Sequence, residues 1–146
     1  MSSAAALAFA AASTGNPAAP TAVVGDARRD RLWYAVYALD PATSRLLVLT
    51  GGRPRFPAHT ADDFSLTGWD DLARLLPPDA RVLSPDWERL GAGLASRVPA
   101  DRLATGPRFP TASDVARLVL ADPAAARAEP VPIYLHPAVA VPRPGA

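Results

Sequence analysis

Apolar residues along this chain follow two rhythms, alternate positions in some stretches and three- and four-residue steps in others, with prolines, glycines and charged pairs between them. The first apolar stretch is mostly alanine. Ser2 or Ser3 can cap a helix through Ala4–Ala12, which Gly15, Asn16 and Pro17 end. Leu7 and Phe9 are its only large apolar groups, so the helix needs a neighbour to pack against. Thr21–Gly25 and Arg31–Leu39 read as strands, and the turn Asp40–Ser44 leads into a third strand, Arg45–Thr50. The region is predicted to be an antiparallel meander closed by Gly51-Gly52. Alternation along the second strand puts Trp33 and Tyr37 on one face and Tyr34 on the other.

Residues 53–67 carry little periodicity and read as a loop with a short extended piece near Phe64–Leu66. Thr67 or Gly68 opens a helix with Trp69, Leu72, Leu75 and Leu76 on one face. Asp70 and Asp71 occupy its first turn, where the helix dipole favours acids, and Pro77-Pro78 stops it. Arg81–Ser84 is a short buried-type strand. Pro85-Asp86 starts a helix with Trp87, Leu90 and Leu94 inward, and Arg102–Thr105 is a further extended segment. Thr111 or Ser113 caps Asp114–Ala121, with Val115, Leu118 and Val119 as its core stripe. Strands first and alternating units afterwards predict an α/β fold, a mixed sheet with flanking helices.

Composition narrows this picture. Hydrophobic residues make up 49% of the 146, but the abundance of alanine implies a core resting on few large side chains. The 17 prolines thicken toward the C-terminus and exclude long helices there. A formal charge of +1 gives no overall field for a polyanion, so direct nucleic-acid binding is not expected. Every basic residue is arginine, which we read as genome composition rather than a set of phosphate forks. The absence of cysteine excludes disulfides, thiol nucleophiles and cysteine metal sites, and fits a reducing cytoplasm. Residues 1–15 lack the basic start of an export signal, and no stretch approaches the ~20 apolar residues of a membrane span.

Chemistry-bearing patterns are sparse. His59 and His136 stand apart and form no two-histidine helical pair, and no metalloprotease, serine-hydrolase or phosphate-loop motif occurs. Asp62-Asp63 and Asp70-Asp71 are adjacent pairs, which do not share a helix face. Trp33, Tyr34 and Tyr37 lack the basic and glycine-aromatic pattern of a base-stacking sheet, so sheet packing explains them. Arg28-Arg29-Asp30-Arg31 is a dense charge cluster between two strands, readable either as a solvated hairpin turn or as an interaction surface. No catalytic, cofactor-binding or metal-binding residue is assigned.

The run from Thr21 to Tyr37, with Asp26-Ala27-Arg28 followed by an aromatic strand carrying Trp33, resembles the start of the second lobe of the TsaB (YeaZ) family. Asp30 and Arg31 stand where that family usually has glycine and glutamate. Three further blocks keep the family order: Val82–Trp87, Pro110–Val119 and Ala128–Leu135, the last ending in Tyr134-Leu135 with His136 in place of arginine. Residues 1–17 resemble the helix that closes the family's first lobe, residues 18–136 its second lobe, and residues 137–146 form a Pro-rich tail. The Gly-Pro-Gly-Ser-Phe-Thr-Gly segment of the family's first lobe is not found.

The resemblance implies the second lobe of an actin-like (RNase H-like) fold. It also implies a non-catalytic, cytoplasmic accessory subunit in the threonylcarbamoyl modification of tRNA adenosine. The implied partners are a TsaD-like catalytic subunit, a TsaE-like ATPase acting indirectly, and a second copy of the chain, with no direct nucleic-acid or membrane contact. Asp26, Ala27, Arg28, Trp33, Tyr134 and Leu135 are the motif residues it singles out. A split or truncated gene is the favoured account of the missing first lobe, and leaves the first helix to pack against a domain that is gone.

Overall fold

The computed structural model describes residues 2–57, 61–123 and 126. Among these residues five strands form one sheet: β1 (Thr21–Arg28), β2 (Arg31–Leu39), β3 (Leu46–Val48), β4 (Ser65–Thr67) and β5 (Arg81–Leu83). Among the described residues four α-helices accompany them: α1 (Ser3–Thr14), α2 (Trp69–Leu75), α3 (Trp87–Ala95) and α4 (Ala112–Ala121), with a single 3-10 turn at Ala61–Asp63. The sheet order is β3-β2-β1-β5, with β4 also pairing with β2. β1 runs antiparallel to β2 and parallel to β5, so the sheet is mixed, as the order of elements predicts.

Strand alternation splits the core into two layers. Val23, Ala35, Tyr37, Leu46, Val48 and Leu83 face α1 and Leu118 of α4. Ala22, Val24, Leu32, Tyr34, Val36 and Val82 face Leu72 of α2 and Leu90 and Leu94 of α3. Trp33 and Tyr37 therefore lie on one face and Tyr34 on the other, because successive side chains of a strand point oppositely.

α1 corrects one expectation. It is seated on this chain's own sheet, against β1, β2 and α4, with Leu7 and Phe9 buried among its alanines. Small side chains let the helix approach the strands closely, and burial of Leu7 and Phe9 contributes roughly 1.5–3 kcal/mol each. The Ser2 side chain caps the helix, accepting from the Ala5 N–H at 3.2 Å. Ser2 and Tyr37 meet beneath this end. Burial pushes the Tyr37 phenol well above the usual tyrosine range, offset in part by the nearby Ser2 side chain. The fully buried Asp63, paired to Arg55 at 2.6 Å, adds to the rise.

Other departures are local. β1 continues three residues beyond Gly25, because the hairpin to β2 turns only after Arg28. The third strand shortens to Leu46–Val48, since beyond it the Val36 N–H donates to the Thr50 hydroxyl oxygen at 2.8 Å rather than to a strand carbonyl. Arg102–Thr105 contributes one parallel bridge, Val82 to Leu103, and no strand. Leu75 is 48% exposed, because α2 ends there and Leu76 turns inward instead.

The C-terminal helix is well specified. Thr111 and Asp114 form a reciprocal capping box at its start. At its other end Asp122 is buried and paired with Arg45 at 2.9 Å, which ties the β2–β3 hairpin to α4. The Arg45 guanidinium also covers the Phe56 ring at 3.9 Å.

Candidate functional site

Motif residues and charge gather at the tip of the β1–β2 hairpin. Arg28 pairs with Arg31 across a two-residue turn, Arg29-Asp30. Both turn residues have positive φ, 52° and 58°, the left-handed pair that matches the twist of a hairpin. Arg28 is left-handed too, at 68°, next to a bulge between Asp26 and Arg28. Three successive non-glycine residues in this region store backbone strain, which must be held by surrounding contacts.

Asp26 supplies that restraint. Its Oδ1 accepts from the Arg28 N–H at 2.7 Å, and its Oδ2 lies 2.7 Å from Arg89 Nη1. Its own N–H donates to Asp86 Oδ2 at 2.8 Å. The Asp86 N–H in turn donates to Ser84 Oγ at 3.0 Å, so the turn between β5 and α3 grips the end of β1. Arg89 sits in the first turn of α3, where the dipole disfavours a cation, and the Asp26 carboxylate offsets that placement.

A cleft of about 280 Å³ opens beside these contacts, lined by Asp26, Arg28 through Leu32, Trp69, Arg89 and Leu90. Arg31 donates from Nε to the Thr67 carbonyl at 3.3 Å, fixing one side. Trp69 forms an apolar wall. Its ring lies against Gly93 of α3, where an added Cβ would collide with it, and Arg97 covers the ring at 5.2 Å from its centroid.

Of the residues singled out by sequence, Asp26, Ala27 and Arg28 come together here. Ala27 is buried and Arg28 exposed. Trp33 does not join them: it faces the α1 layer, crosses Gly25 and meets Phe64 edge-on at 5.5 Å. Tyr134, Leu135, His136 and His59 lie outside the described residues. Sequence reasoning missed Trp69, Asp86 and Arg89 as members of this site. A cation in the first turn of a predicted helix was a signal for Arg89, since it demands a nearby acid. Among the described residues, no group of three or more His, Asp or Glu side chains is placed to hold a metal ion. No helix among them is long and apolar enough to cross a membrane.

No family model and no curated protein matches the sequence. Among solved structures, the chain is similar to a crystal structure described as an uncharacterized protein with similarity to peptidase YEAZ from Pseudomonas aeruginosa. The identity is 21% and the TM-score 0.55, over 93% of this chain and 57% of that one. The chain therefore spans a little over half the length of that structure. The likeness is one of fold, a YeaZ-like α/β arrangement with a mixed sheet and flanking helices.

Proposed function

We propose that this chain is a TsaB-like accessory lobe in tRNA threonylcarbamoyladenosine modification, one that supports a TsaD-like catalytic subunit by binding rather than by chemistry of its own. The observation that carries the reading is the YeaZ-like fold over 93% of the chain. The Asp26-Ala27-Arg28 motif, held at the hairpin tip by α3, accords with it. The test is co-purification with the TsaD-like subunit of the same genome, with and without a separately supplied first lobe. Association is expected, together with stimulation of tRNA modification. Failure to associate in both formats would remove the subunit reading.

A second reading is a stand-alone interaction module outside tRNA modification. The charged cleft favours it, because an exposed arginine pair on a rigid turn suits protein contact whatever the pathway. The similar structure's description mentions a peptidase, and peptidase activity surviving loss of both His59 and His136 would overturn the non-catalytic proposal.

A further inference from the structure

The four arginines of the hairpin cleft are not equivalent. Arg89 is paired to Asp26, and Arg31 donates to the Thr67 carbonyl. Arg28 and Arg29 are exposed, and among the described residues neither guanidinium holds an ion pair or hydrogen bond. Their backbones are nevertheless the constrained ones, left-handed at 68° and 52° and anchored through Asp26 to α3. Two unpaired cations are thus displayed from fixed backbone positions, beside an aromatic wall made by Trp69.

We infer that this cleft is a docking site for an acidic segment of a partner protein, whose carboxylates are taken by Arg28 and Arg29 while an apolar neighbour packs on Trp69. The guanidinium fork matches a carboxylate in two parallel hydrogen bonds. A protein segment fits better than RNA because Asp26 and Asp30 stand among the arginines. A continuous phosphate backbone would meet those acids, whereas a peptide with spaced carboxylates avoids them. A constrained backbone favours such binding, because on contact only the two arginine side chains, and not the hairpin tip itself, have to be ordered. The choice of a protein partner rests on the accessory-subunit reading, and the inference gives that reading a surface.

The test compares wild type with Arg28→Glu/Arg29→Glu and with a control of equal charge, Arg53→Glu/Arg117→Glu, whose exposed positions do not line the cleft. Each is measured by fluorescence anisotropy against a labelled glutamate-rich dodecapeptide containing one leucine, against a single-stranded RNA dodecamer and against inorganic phosphate as competitor. Circular dichroism establishes that each variant is folded. The TsaD-like subunit of the same genome is assayed in parallel.

The expected result is peptide binding that weakens with salt and drops about tenfold or more in the hairpin variant but not in the control. RNA or phosphate bound in preference to peptide, or equal loss in both variants, overturns the proposal. Peptide binding with this pattern but no TsaD association upholds the surface and removes the subunit reading. TsaD association that is indifferent to the hairpin variant, with no peptide binding, removes the surface and leaves the subunit reading standing.

Discussion

The indole of Trp33 lies across Gly25 on the neighbouring strand, so closely that a Cβ built on the glycine would fall well under 3.0 Å from three of its ring atoms. The two residues are register partners in the β1–β2 ladder. Absence of a side chain on one strand thus creates the seat for the largest side chain on the other.

Gly25→Ala is therefore expected to displace the indole and destabilise the fold by roughly 1–3 kcal/mol, as overpacking does. Urea denaturation followed by tryptophan fluorescence measures it. Combined with Trp33→Phe, which frees space at the same point, the penalty should be smaller than the sum of the two single changes. Strict additivity would mean that the pair is not in contact in solution.

At the hairpin tip the opposite substitution is stabilising. Asp30 has φ 58°, a conformation that glycine adopts without a steric penalty. Asp30→Gly is expected to raise stability by about 1 kcal/mol, the lower end of what a left-handed L-residue costs. A lower melting temperature would count against the strained geometry.

Arg45 and Asp122 form the contact between the β2–β3 hairpin and the end of α4. Asp122 is buried while Arg45 is about one-third exposed, so the pair is partly screened. Arg45→Ala leaves a buried carboxylate at a helix C-terminus and should cost about 1–3 kcal/mol. The double variant with Asp122→Ala should lose less than the two single changes together, and a double-mutant cycle reads that coupling.

The acid limb of the stability curve should report the capping box. Asp114 is held below the ordinary carboxylate range by the Thr111 backbone N–H and then by its hydroxyl. Asp40 is lowered in the same sense by the Thr43 hydroxyl and the Ala42 N–H. Folded carboxyls that titrate below the unfolded value of about 3.9 contribute stability that is complete above that value. That contribution is lost as pH falls through the folded values. Thermal melts between pH 5 and pH 3 should show Asp114→Asn with a shallower acid slope than wild type. Thr111→Ala should cost about 1 kcal/mol near neutral pH.

The parts of the fold that local chemistry decides were legible beforehand. Strand alternation put Trp33 and Tyr34 on opposite faces, Thr111 and Ser113 were the two cap candidates for α4 of which the structure uses Thr111, and Asp70 and Asp71 marked the first turn of α2. What escaped depends on partners distant in the chain. The seat of α1 comes from β1, β2 and α4, none of which its alanines specify. The site was half legible: Asp26-Ala27-Arg28 stands out as a string, but the grip of Asp86 and Arg89 on Asp26 joins positions some 60 residues apart. Trp33 was singled out for its place in a motif, yet its ring fills the opposite layer, because even and odd strand positions diverge.

The seating of α1 also sets an order of events during synthesis. It leaves the ribosome before the strands and the helix it packs on, carrying too few large side chains to hold itself together, and an isolated helix of its length is marginal in water. Its lasting partner α4 begins about a hundred residues later, so closing that contact must wait for nearly all of the described chain. Until then α1 can cover that face of the sheet only in part, through β1 and β2, and Val23, Ala35 and Tyr37 are more open to other nascent chains. A helix made about a hundred residues before its partner α4 is in this way fully secured only late, and slowing its docking should lower the yield of recovered protein before it changes the melting point of the finished one.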